Sequence, residues 1–98
     1  MSRAFRTGTV VQHFKRETLS EHEKAATSKY LYEIVGIATH TETREKLVVY
    51  KSMFDSRVLE VRKGQLFTMP LDMFMAEVDH GKYPDIKQKY RFERYVNK

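Results

Sequence analysis

Two β-rich stretches joined by one short polar link constrain this chain more than any other feature. Tyr30 to Thr39 reads Tyr-Leu-Tyr-Glu-Ile-Val-Gly-Ile-Ala-Thr, dense in aromatic and β-branched residues. Lys46 to Met53 reads Lys-Leu-Val-Val-Tyr-Lys-Ser-Met. Between them, His40-Thr41-Glu42-Thr43-Arg44-Glu45 is polar and turn-like. Strong strands across so short a link predict an antiparallel hairpin. Gly36, inside the first strand, predicts a bend or bulge where a sheet can curl.

The flanking segments extend this sheet. Gly8 to Phe14 is β-rich, and alternation puts Thr9, Val11 and His13 on one face and Val10, Gln12 and Phe14 on the other. In Leu19 to Lys29, Ser20 and Glu23 have the spacing of a capping box. That segment has almost no apolar stripe, so residues 16–29 read as an exposed, mobile helical insertion after the first strand. Arg57 to Arg62 alternates like a third strand, and Leu66 to Met69 like a short further one. Leu71, Phe74, Met75 and Val78 fall at helical spacing behind Pro70 and predict a helix over 70–78. Pro84 to Gln88 has room for one more helical turn. Tyr90, Phe92 and Arg94 alternate against Arg91, Glu93 and Tyr95, as a closing strand would.

About five short strands and one short helix in 98 residues cannot build a large sandwich. The economical solution is a mainly β fold, a small, partly open barrel that shields its own edges. No repeat or Pro/Gly-rich linker divides the chain, so it reads as a single domain over 1–98 with its core at about 8–96. The absence of cysteine excludes disulfides and thiolate zinc sites. No apolar run approaches the roughly 20 residues of a membrane-spanning helix, and Met1 to Arg6 lacks the apolar stretch of a secretory signal. The expectation is a cytoplasmic protein with no membrane partner.

The net charge is +5. Arg3, Arg6, Lys15 and Arg16 make the first sixteen residues basic. Lys82, Lys87, Lys89, Arg91, Arg94 and Lys98 outweigh Asp85 and Glu93 at the other end. Basic ends around an acidic middle can steer a polyanion to one face, or serve solubility alone. The interleaved stretch Lys87, Lys89, Tyr90 and Arg91 has the residue types that single-stranded nucleic acids stack on and pair with. The same alternation also fits Tyr90 and Phe92 completing a core.

The polar residues of most interest are His13, His40, Glu42, Glu45 and Tyr50, with Arg62 further on. Imidazole and carboxylates could bind a ligand, exchange protons near neutral pH or hold a divalent metal. They could equally satisfy the backbone of the turn. No His-Glu-x-x-His pattern, nucleophile elbow or Gly-rich phosphate loop occurs, so no catalytic residue, metal ligand or cofactor is assigned.

Several runs together carry a family resemblance. Tyr32-Glu33-Ile34-Val35-Gly36-Ile37-Ala38, His40-Thr41-Glu42-Thr43 and Leu47-Val48-Val49-Tyr50 resemble the family catalogued as domain of unknown function 1653. Val11-Gln12-His13-Phe14-Lys15, Met73-Phe74, Glu77-Val78 and Tyr90-Arg91-Phe92 match it too, so the likeness runs from about Thr9 to Phe92. The resemblance implies a compact SH3-like barrel and brings no established activity. Two departures stand out. Arg16 to Lys29 is inserted relative to shorter members. Thr68-Met69 precede Pro70 where members often carry an arginine, so an anion-binding role does not carry over there, and Arg62 is the candidate substitute.

Together these features predict a non-enzymatic recognition module whose groove takes a ligand, a nucleic acid or a protein partner, with His13, His40, Glu42, Tyr50 and Arg62 as candidate ligand-binding residues. The alternatives are a small-molecule or metal-dependent enzyme site around His40 and Glu42, and a protein–protein interaction subunit.

Overall fold

A computed structural model describes residues 5–96. Its elements, in chain order, are β1 (Val10–His13), a 3-10 helix (Phe14–Thr18), α1 (Glu21–Ala26), β2 (Leu31–Thr39), β3 (Lys46–Ser52), β4 (Leu66–Pro70), α2 (Leu71–Phe74) and β5 (Phe92–Arg94). The strands form one antiparallel sheet in the order β4-β3-β2-β1-β5. The expected mainly β, five-stranded architecture is present. The sheet is open, because β4 and β5 are its two edges and do not pair with each other.

The β2–β3 hairpin forms where the aromatic and β-branched runs predict it, from Tyr32 opposite Ser52 to Thr39 opposite Lys46. Its register slips between Ile34 and Gly36, leaving Val35 as the extra residue of a bulge. One face carries the core. Val11, Ile34, Val48, Tyr50, Phe74 and Phe92 form its buried cluster, with Phe5, Tyr32, Phe67, Met69, Leu71 and Met75 packed against them.

Ring contacts show how far the sheet curls. Phe92 on β5 and Tyr50 on β3 are three strand positions apart, roughly 14 Å across a flat sheet. Their ring centroids are 5.7 Å apart. Tyr32 and Phe92, two positions apart, approach to 6.0 Å. Long rings lean toward each other, but closures of this size need a strongly concave sheet.

Two expected elements are corrected. Arg57 to Arg62 is no strand but a tight turn, closed by the Ser56–Val61 bridge and with Glu60 in the left-handed region at φ 56°. Ser52 holds this loop from below: its hydroxyl donates to the Arg62 carbonyl, and its backbone pairs with Gly64 and Gln65. The helix predicted to reach Val78 ends at Phe74. Beyond it the chain turns extended, since Glu77 pairs with Tyr90 and the Val78 N–H donates to the Lys89 carbonyl at 2.9 Å. Leu71, Phe74 and Met75 therefore serve the main core, while Val78 joins Phe14 and Ile86 in a second cluster with Tyr83 packed on it. Pro84 and Asp85 form a turn, not a helical one.

Helix α1 buries none of its residues, and specific hydrogen bonds tie it to the chain around it. Ser20 and Glu23 close both halves of the capping box. Arg16 is buried, 4% exposed, and its guanidinium donates to the carbonyls of Lys24 (3.0 Å), Thr27 (3.1 Å) and Lys29 (2.7 Å).

Arg16→Ala leaves those carbonyls without their donor and should cost about 3 kcal/mol of unfolding free energy. Arg16→Lys should recover only part, because an ammonium cannot reproduce the planar fork. Urea denaturation checks both; an Arg16→Ala midpoint equal to wild type would contradict this role. Phe74→Ala should cost about 3–5 kcal/mol, because Phe74 is fully buried and stacked on Phe92 at 4.1 Å.

Candidate functional site

The concave face does not fill completely with side chains. A cavity of about 290 Å³ remains between the strands and the 55–65 loop. Each strand contributes to its wall: His13 from β1, Tyr32 from β2, Tyr50 from β3, Phe67 and Met69 from β4, and Phe92 from β5. Tyr30 and Lys15 flank it, and Leu59 and Val61 of the turn lie over one side. The period of two explains the selection. Tyr32 pairs with Val11 and Ser52, Tyr50 with Ile34 and Phe67, and His13 with Phe92, so all share one face.

The aromatic wall is a continuous set of ring contacts. Tyr32 meets Tyr50 edge-on at 5.3 Å, Tyr50 lies against Phe67 at 5.8 Å, and His13 meets Phe92 edge-on at 5.1 Å. Lys29 sits over the Tyr30 ring at 5.3 Å. The hydroxyls of Tyr30, Tyr32 and Tyr50 make no hydrogen bond among the described residues, and none is sealed from solvent. Each is thus free to donate to, or accept from, whatever enters. Burial pushes the Tyr32 hydroxyl up to about 12, with help from the neighbouring Tyr50 and Tyr30. Burial raises Tyr50 as well, against the opposing pull of Arg91.

His13 is the polar hinge of the site. Its Nδ1 accepts the Lys15 backbone N–H at 3.1 Å. Burial, with the positive charges of Lys15 and Arg91, lowers its pKa to about 4. The ring is therefore neutral near pH 7, and with Nδ1 accepting, its proton lies on Nε2. The site presents an uncharged N–H donor beside uncharged phenols.

A second hollow, about 380 Å³, shares His13 and Lys15 and adds Arg91, Lys82, Tyr83, Glu77 and Asp79. Arg91 uses Nη1 on the Met73 carbonyl at 3.3 Å. Asp79 accepts from its own turn, at Gly81 and Lys82.

Of the residues singled out in the sequence, His13 and Tyr50 share the cavity. His40 and Glu42 are exposed at the far end of the hairpin. His40 is eight positions beyond Tyr32 along β2, roughly 25 Å at about 3.3 Å per residue. There the His40 Nδ1 accepts the N–H groups of Glu42 (3.1 Å) and Thr43 (3.2 Å), and the Thr43 hydroxyl accepts from Glu45. These bonds cap the turn. Arg62 lies in the neighbouring loop, lining a shallow hollow with Asp55, Arg57 and Glu60. Among the described residues, no group of three or more His, Asp or Glu is placed to hold a metal ion.

The basic run divides. Lys87 and Lys89 are exposed, while Gln88 between them is buried and bonded to the Gln12 side chain at 2.8 Å, on the face opposite His13. Lys89 lies over Tyr90 at 5.3 Å. Of that run, Arg91 alone reaches the hollow beside His13. The sequence did not single out Tyr30, Tyr32 and Lys15 as site residues. The signal was there in the i, i+2 tyrosines, which share a face on any strand.

A family model described as "Protein of unknown function (DUF1653)" matches residues 9–94. No curated protein and no solved structure matches the chain. No helix among the described residues is long and apolar enough to cross a membrane.

The lowered His13 pKa makes stability depend on pH with a definite sign. Between pH 6.5 and about 4 the unfolded chain binds a proton at His13 that the folded one refuses. This contribution is complete above pH 6.5 and is lost as pH falls toward 4, by up to roughly 3 kcal/mol. Denaturation midpoints of wild type and His13→Gln should diverge in that window. A His13 ring proton titrating near 6.5 by NMR would refute it.

Proposed function

The chain belongs to the family of proteins of unknown function designated DUF1653, and on that premise we propose that it is a non-enzymatic recognition module that seats a flat ring in the cavity of its concave sheet face. The observation that carries this reading is the wall itself: rings from Tyr32, Tyr50, Phe67 and Phe92 around solvent-accessible phenols that no neighbour satisfies. Such a wall offers an apolar surface for burial and a few polar groups for orientation, the usual division of labour in ligand sites. At about 290 Å³ it suits one ring system or side chain more than a large molecule.

The titration behaviour supports binding over proton transfer. General acid–base catalysis favours groups that titrate near the working pH. His13 at about 4 and Tyr32 at about 12 lie far to either side of neutrality, so both act as fixed hydrogen-bonding groups. The curled sheet with its overlying turn fits an open relative of the SH3-like barrel, with the cavity as its groove.

Titration of the isotope-labelled protein with phenol, indole and benzimidazole should move resonances of His13, Tyr32 and Tyr50 and leave His40 and Glu42 still. Tyr32→Phe should weaken the polar probes about threefold to tenfold, whereas His40→Ala and Glu42→Ala should stay within about twofold of wild type. Shifts gathered at the β2–β3 turn would count against this site.

A further inference from the structure

Building on the ring-binding reading of the cavity, we propose that its occupant is a nucleoside monophosphate, with the base against the wall formed by Tyr32, Tyr50 and Phe67 and the phosphate at Lys15 and Arg91. Four observations lead there.

The cavity holds one charged side chain among its lining residues, Lys15, and no acid. A ligand that fills it gains by carrying an anion at that end. Lys15 and His13 are also the wall shared with the second hollow, where Arg91 stands. The Arg91 side chain uses Nη1 on the Met73 carbonyl and makes no other hydrogen bond or ion pair among the described residues. Lys15 and Arg91 both line that hollow, and both act electrostatically on His13. Two cations lining one hollow suit a phosphate, which takes several charge-assisted bonds at once.

The polar groups inside the cavity match a base edge better than a simple arene. Phenols at Tyr32 and Tyr50 both donate and accept, and the His13 Nε2–H donates. A nucleobase edge mixes acceptors and donors. Stacking on an aromatic wall suits any base, because every base has a π-face.

The surroundings favour one phosphate over a chain of them. Glu77 and Asp79 line the same hollow as Lys15, Lys82 and Arg91, and Asp55 and Glu60 line the other hollow with Arg57 and Arg62. A polynucleotide needs a continuing basic track, and acids interrupt it in both hollows. The exposed Lys87 and Lys89 flank Gln88, which is bonded to the opposite face, and do not extend that track.

Calorimetric and NMR titrations with the four common ribonucleoside 5′-monophosphates, the matching nucleosides, inorganic phosphate and a short single-stranded oligonucleotide test the proposal. At least one monophosphate should bind about tenfold or more tighter than its nucleoside and shift His13, Tyr32 and Tyr50. Lys15→Gln, at an exposed position, should remove most of that gap, read as the ratio of monophosphate to nucleoside affinity; Arg91→Gln should act alike. Nucleotide and nucleoside binding equally would overturn the phosphate seat. No binding of either, while indole still shifts the cavity resonances, would overturn the nucleotide and leave the ring site standing. Silence from every probe would overturn both. Tighter binding of the oligonucleotide than of any monophosphate, falling steeply with salt, would replace the free nucleotide with a polymer.

Discussion

Phe74 and Phe92 stack face to face, with centroids 4.1 Å apart and planes within 7°. The position of that stack explains the fold. Phe74 follows directly from β4, one edge of the sheet, and Phe92 belongs to β5, the other edge. β4 and β5 exchange no ladder hydrogen bonds, so the curl is held by this stack together with the backbone pairing of residues 76–78 with 89–91 just beyond them. Both rings are buried, and Tyr50 reaches each of them. The Val35 bulge in β2 supplies added twist, and the stack keeps the sheet concave.

Concavity produces the site. On a flat sheet, His13, Tyr32, Tyr50 and Phe67 would form an aromatic row open to water. Curled, they become walls around a cavity, and the same burial that draws them together sets their chemistry. Desolvation lowers the pKa of His13 to about 4 and raises those of the Tyr32 and Tyr50 phenols. Charge is left at the rim, on Lys15 and Arg91, where water still reaches it. The interior is ring-lined and its only charged lining residue is Lys15, with Arg91 in the adjoining hollow.

Two buried polar residues anchor the periphery of this arrangement. Arg16 binds the carbonyls of Lys24, Thr27 and Lys29. Gln88 exchanges a side-chain bond with Gln12 and donates to the Tyr90 carbonyl at 2.8 Å, which holds the chain leading into β5. Glu17 accepts the backbone N–H groups of Lys87 and Gln88 from across the molecule. The Arg16 and Glu17 contacts join polar side chains to backbone groups eight or more residues away, and the Gln12–Gln88 bond joins side chains from opposite ends of the chain. In sequence, Arg16, Glu17 and Gln88 are indistinguishable from solvated surface residues, because nothing local marks which carbonyls or amides will come to meet them.

The family, the β2–β3 hairpin, the bulge beside Gly36 and the Ser20–Glu23 capping box were legible in the amino-acid order, since each depends on residues a few positions apart. The alternation that put His13 on the face of Val11 was legible for the same reason. Tertiary structure alone decided the rest. The 57–62 stretch became a turn because Ser52 claims the loop's backbone. The helix stopped at Phe74 because Lys89 and Tyr90 pair with the residues after it. The candidate ligand set was parted, His13 and Tyr50 from His40 and Glu42, by the length of a strand. Local spacing determines which way a side chain points; only the curl of the sheet determines what it points at.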